Sequence, residues 1–302
     1  MDYQRIMGVE KLAESCHHGQ GVRIAILDSG IPRPSLYGRT GACSKREMDE
    51  FGHATAISSI LLGGWGIKGL CSRAHADYIK VLDNDGNGNI KSVVKGIRKA
   101  IDLGAGIINL SLGFSRTETC PKDLEKACEI AYEAGRTIIC AAGNDGGPVN
   151  WPAALKTTIS VGSAGKNGLK TAFSSVGEVD FVAPGTNLSV LCPDGRIKTV
   201  SGTSFSAALV SGVATLLFGD IRRKELRDPD TEDIREALKR LSYDVAEPGW
   251  DKLTGYGLVS GRYSDSTVCM KIERGFFDRI IAKIQSLVGF GKTKEKNNGS
   301  RV

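Results

Sequence analysis

The sequence predicts an α/β fold: a doubly wound, mostly parallel sheet flanked by helices. Two observations predict it. Short, nearly all-apolar β-branched runs recur at 22–27 (VRIAIL), 78–82, 107–110, 137–141, 158–161 and 180–182. Such runs suit parallel strands covered on both faces. Helical patterns lie between or after them, near 53–62, 91–103, 122–134 and 203–218. Strand–helix alternation sustained over this length is the signature of a doubly wound domain.

The chain's 302 residues could form one large domain or two ordinary ones. No internal repeat or linker interrupts residues 20–262, so 1–262 reads as one catalytic domain and 263–302 as a C-terminal extension. Hydrophobic residues make up 41% and charged residues 25%, which excludes a wholly disordered chain. The net charge of +6 comes without a dense basic stripe, so no nucleic-acid partner is expected. The 38 glycines follow no fixed period and point to tight turns and close backbone approaches. Residues 1–21 carry no apolar run of signal-peptide length. A cytoplasmic location with reduced thiols is therefore expected; a processed, exported fragment is the alternative. The eight cysteines include no C-x-x-C pair, which argues against structural zinc. Cys140, inside TIICAA, reads as a core residue.

In doubly wound sheets, sites form where loops leave the carboxyl ends of the strands. Asp28 follows VRIAIL directly, Asn144 follows TIICAAG, and Ser204 opens a long apolar helix in SGTSFSAALVSGVATLL. Histidine is the usual base for a serine nucleophile, and a carboxylate fixes its tautomer. Of the four histidines, His17 and His18 lie in a polar N-terminal segment and His75 in a loop-like stretch. Only His53 starts an apolar helix after a glycine. A helix start is also a sensible place for Ser204, because free N–H groups and the helix dipole favour developing negative charge. Asn144 could donate its amide to an oxyanion. Singly, each has a plain reading: a strand-end turn former, a helix cap or a structural histidine. The joint pattern is far more specific.

Over residues 7–261 the chain resembles the subtilisin-like serine proteases. The likeness rests on ILDSGI around Asp28, GHATAISSIL around His53, KVLDNDGNGNI at 80–90 and IINLSLG at 107–113. It continues with AAGNDG at 141–146, WPAALKTTISVGSA at 151–164, FSSVGEVDFVAPG at 173–185 and SGTSFSAALVSG at 201–212. The resemblance implies an endopeptidase in which Asp28 orients His53, His53 is base then acid, and Ser204 is the nucleophile. Asn144 and the Ser204 N–H would form the oxyanion hole. A dedicated maturation protease or transpeptidase, and a catalytically silent peptide binder, are the alternatives. The implied partner is a peptide or protein substrate. It would add as a strand between the edges Gly86, Asn87, Gly88 and Ser111, Leu112, Gly113. Ala141, Ala142 and Gly143 would wall the first specificity pocket, with Asn150 where the family usually has a glycine.

No cofactor is expected. The family's strong calcium site looks absent, since Ser35 stands near its expected carboxylate and LLGGWGIKGL lacks oxygen ligands; a weak site elsewhere stays open. Asp83, Asp85, Asn87 and Gly88 imitate the start of an EF-hand loop, but Val94 stands where its bidentate Glu would be. Ala208 replaces a usual proline four residues after Ser204, a change that could alter the choice between water and an amine as acceptor. In the extension, the apolar residues of 275–290 (GFFDRIIAKIQSLVGF) fall within about 140° of helical arc. This predicts an amphipathic helix that docks on the domain, a partner or a membrane surface, followed by a disordered basic tail.

Overall fold

The computed structural model describes residues 1–37, 47–116, 118–166 and 168–261. The chain divides into two units, Met1–Tyr263 and Ser264–Val302; the expected helix at 275–290 lies outside the described residues.

The first unit contains helices α1 (Tyr3–Met7), α2 (Glu10–Ser15), α3 (His53–Leu61), α4 (Ile90–Asp102), α5 (Lys122–Glu133), α6 (Thr203–Glu225) and α7 (Thr231–Leu241). Its strands are β1 (Arg23–Asp28), β2 (His75–Lys80), β3 (Ile107–Leu110), β4 (Thr137–Ala141), β5 (Thr158–Ala164), β6 (Phe181–Pro184), β7 (Leu188–Leu191), β8 (Ile197–Val200), β9 (Ser242–Tyr243) and β10 (Leu258–Val259). Eight strands form one sheet in the order β2-β1-β3-β4-β5-β6-β10-β9. Every pairing in it is parallel except β10 with β9, and β7 with β8 make a separate antiparallel hairpin.

The sheet is held by burial on both faces. Every residue of β3, β4 and β5 is buried. On one side, side chains of α4 and α5 such as Val93, Ile97, Leu124 and Ala127 pack on Leu27, Ile108, Leu110 and Ile138. On the other lies α6, which runs under β3 to β6 and against α3. By length and apolarity α6 could cross a membrane, but 83% of its most apolar window is buried inside the protein. Cys140 is fully buried, as expected, and burial pushes its thiol pKa well up. His75 departs from the sequence reading: it begins strand β2 rather than lying in a loop.

The helix α7 starts with a capping box in which the Asp230 and Asp233 carboxylates each accept the other's backbone N–H. Arg235, 8% exposed, anchors this helix to the sheet. It donates to the Asp180 carboxylate and to the carbonyls of Lys156 and Thr158. Burial pushes the Asp180 carboxyl pKa up against the opposing pull of Arg235. Removing one partner of a buried pair strands the other charge. Arg235→Ala is expected to lower unfolding stability by about 3–5 kcal/mol in urea denaturation. A loss under ~1 kcal/mol would show that the pair is effectively solvated.

The strand order positions the site. From β1 the chain goes to β2 on one side, then returns past β1 to β3 on the other. Loops diverge at such a switch point and leave a crevice beyond the carboxyl ends of the strands. Asp28 is the last residue of β1, Ser111 follows β3, and Asn144 lies three residues beyond β4.

Candidate active site

Asp28 is 1% exposed, and both its carboxylate oxygens lie 2.9 Å from His53 Nδ1. Its Oδ1 also accepts the Ser29 N–H at 2.7 Å. A carboxylate accepts only, so Nδ1 carries the proton and the Nε2 lone pair is left free.

His53 is the first residue of α3, and the turn before it is fixed by Asp49. That buried carboxylate accepts the N–H of Gly52 at 2.7 Å and both the N–H and hydroxyl of Thr55, at 2.7 and 2.5 Å. Gly52 has φ +93°, a conformation that favours glycine. The Ser29 hydroxyl oxygen lies 2.8 Å from Asp49 Oδ1 and 3.1 Å from Asp28 Oδ1, and it accepts the Ala54 N–H. Its single proton can serve one carboxylate at a time, and the shorter distance favours Asp49. Ser29 and Asp49 thus tie the end of β1 to the start of α3. Burial alone would lower the His53 pKa. Asp28, through its charge and hydrogen bond, together with the charge of Asp49 outweighs this and raises it above 6.5. The rings of Phe51 and Phe205 flank the imidazole at centroid distances of 6.5 and 5.7 Å.

Ser204 is the second residue of α6, entered through Gly202 at φ +152°. Its hydroxyl donates to the Ser111 carbonyl at 2.8 Å, and the Ser111 hydroxyl donates to the Ser204 carbonyl at 2.8 Å. The resemblance implies that His53 takes the proton of the Ser204 hydroxyl during reaction. Here the hydroxyl rests on Ser111. The Ser204 N–H lies in the first helical turn, where no intrahelical acceptor exists. Asn144 Oδ1 accepts the N–H and hydroxyl of Thr203 at 2.9 and 3.0 Å. That fixes the amide, and Nδ2 makes no hydrogen bond among the described residues.

His53, Asn144 and Ser204 face one cavity of about 310 Å³. Eight of the expected substrate residues also line it: Gly86, Gly88, Ser111, Leu112, Gly113, Ala141, Gly143 and Asn150. Two do not. Ala142 is fully buried in backbone pairing with Val161 and Asn150. Asn87 is taken up by a turn in which Asp83 Oδ1 accepts the N–H groups of Asp85 and Asn87. The EF-hand imitation at 83–88 is thus a local turn whose carboxylate caps its own backbone. Sequence reasoning missed Asp49, Thr203 and the apolar lining residues Phe51, Leu82 and Phe114. Asp49 had a legible signal, an acidic residue just ahead of a helix start.

The comparisons give the family. The Subtilase family model, Peptidase_S8, matches residues 19–257, and the chain belongs to that family. It is 34% identical over 254 residues to minor extracellular protease Epr of Bacillus subtilis (strain 168), covering 80% of this chain but 38% of that protein. It is 32% identical over 253 residues to thermitase of Thermoactinomyces vulgaris, covering 79% of this chain and 84% of thermitase. The solved structure of prenylagaramide maturation protease PagA superposes with a TM-score of 0.73 at 28% identity, over 84% of this chain and 95% of that one.

Proposed function

We propose that this chain is a serine endopeptidase in which Asp28, His53 and Ser204 form the catalytic triad. The observation that carries the reading is the Asp28–His53 pair opening onto the cavity that also holds Ser204 and Asn144. A peptide enters between 86–88 and 111–113, and its backbone hydrogen bonds as an added strand. The Ser204 hydroxyl turns from Ser111 to His53. As Oγ attacks the scissile carbonyl, its proton passes to Nε2, and Asn144 Nδ2 with the Ser204 N–H receives the oxyanion. The C–N bond then breaks, with His53 protonating the leaving amine. Water, deprotonated by His53, hydrolyses the acyl-enzyme.

The test is incubation with a mixed peptide library and, separately, with a fluorophosphonate probe. Internal cleavage products and a label mapped to Ser204 by mass spectrometry are expected. No cleavage and no label on folded protein would overturn the reading in favour of a silent peptide binder.

The likeness to a maturation protease favours a second reading, in which the chain processes one precursor peptide. Cleavage confined to very few library members would support it; broad cleavage would favour the general endopeptidase.

His53 acts as base only when neutral, and its pKa is raised above 6.5. Activity is therefore low in acid and rises as pH passes through that higher value. In kcat/KM against pH, the acid limb is expected to have its midpoint above 6.5. Asp49→Asn removes one of the raising charges and moves this midpoint down. A limb that stays put in Asp49→Asn would show that Asp49 does not reach His53 electrostatically.

A further inference from the structure

Asn150 lines the cavity beside both Gly113 and Gly143. Its Cβ sits 3.0 Å from where a Cβ on Gly113 would stand, and its Nδ2 2.7 Å from where one on Gly143 would stand. Asn150 thus fills the space beside Gly113, and at Gly143 it shares that space with the Ser175 hydroxyl oxygen, 2.5 Å from where a Cβ would stand. The backbone around it is pinned: Asn150 N–H donates to the Ala142 carbonyl, and its carbonyl accepts the Ala154 N–H. The next residue, Trp151, exchanges two backbone hydrogen bonds with Phe114, just beyond Gly113. The amide itself is not satisfied. Its Oδ1 is buried and has no hydrogen-bond partner. A buried acceptor without a donor is rare and costly, so it calls for an explanation in the ligand the site takes.

We infer that Asn150 reads the side chain preceding the scissile bond, and that it selects a neutral hydrogen-bonding group: the carboxamide of Asn or Gln, or the hydroxyl of Ser or Thr. The inference rests on the peptidase reading above. No partner holds Oδ1 in place, so a half-turn about the Cβ–Cγ bond can bring either Oδ1 or Nδ2 to the cavity. A carboxamide or hydroxyl can donate to the one or accept from the other. A carboxylate can only accept and would lose its hydration for a single hydrogen bond. A large apolar side chain would leave the amide unpaired and meet it sterically. A site whose buried polar groups need a partner discriminates strongly against substrates that lack one.

The test uses a peptide set varied only at the residue before the cleaved bond, with kcat/KM compared within each protein sample. Such ratios do not depend on the fraction of active enzyme. The wild type is expected to prefer Asn, Gln, Ser or Thr over Phe, Leu and Met by about 10- to 100-fold. Asn150→Gly and Asn150→Ala both remove the amide, and either is expected to shift the ratio toward Phe, Leu and Met by at least about tenfold. Any other preference in the wild type overturns the inference, and so does a ratio that moves by less than twofold in the variants. Fluorophosphonate labelling of the wild type separates the two levels. If Ser204 labels but the preference is absent, the inference fails alone. If Ser204 does not label and no peptide is cut, the peptidase reading fails with it.

Discussion

Ser204→Ala is expected to abolish fluorophosphonate labelling and to lower kcat by about 10⁶-fold, a magnitude set by subtilisin, itself a subtilase. In the proposed mechanism this hydroxyl forms the acyl bond once His53 has taken its proton. Little else should change. In the resting state the Ser204 hydroxyl makes a single hydrogen bond, to the Ser111 carbonyl, and Ser204 lines an open cavity that water can enter. Neighbouring contacts survive the substitution: the Ser111 hydroxyl still donates to the backbone carbonyl of residue 204, and Asn144 still holds Thr203. The thermal midpoint should therefore stay near that of the wild type, which separates lost chemistry from lost fold. Residual turnover, from the oxyanion donors and peptide binding alone, should still exceed the uncatalysed rate by about 10³–10⁴. Retention of more than a hundredth of wild-type kcat, or a label on the variant, would place the nucleophile elsewhere.

Much of this architecture was legible because the central strands have no wet face. For β3 and β4, nearly all-apolar sequence and complete burial coincide, and the expected limits match the observed ones. The edge strand β2 was harder. It pairs on one side only and keeps residues such as His75 at the surface, so HADYIK has no continuous apolar run and its start was missed. The hairpin of β7 and β8 escaped for a related reason, since β8 is mostly exposed and carries little pattern. In α7 the polar face dominates the composition, although Asp230 and Asp233 at their three-residue spacing signalled its start.

The site was legible in a different way. Asp28, His53, Asn144 and Ser204 were individually ambiguous, and their order in the resemblance made them one set. What no local pattern carries is the long-range wiring. Ser29 and Asp49 are twenty residues apart and meet only because β1 delivers one beside the turn that starts α3. The resting bond from Ser204 to Ser111 likewise spans 93 positions. Asn150 stood out as a departure from the family's usual glycine; its unpartnered Oδ1 and its seat against Gly113 and Gly143 required coordinates.

Asp28→Asn should be nearly as damaging as loss of the nucleophile, with kcat falling by about 10⁴-fold while KM changes little. The reason is the polarity of one hydrogen bond. Asp28 Oδ1 is held by the Ser29 N–H at 2.7 Å, an interaction that the carbonyl oxygen of an asparagine keeps. The amide nitrogen then takes the Oδ2 position, 2.9 Å from His53 Nδ1. It can only donate, so Nδ1 must accept, and the ring proton moves to Nε2, where the base is needed. An imidazole protonated at Nε2 cannot take the Ser204 proton. The substitution also removes the strongest influence raising the His53 pKa, leaving desolvation, which lowers it, opposed chiefly by Asp49. The ring's midpoint in an NMR titration should fall relative to wild type even though its surroundings are nearly isosteric. A kcat loss below tenfold, or an unmoved midpoint, would mean that His53 does not depend on Asp28 for its tautomer, and the triad assignment would fail there first.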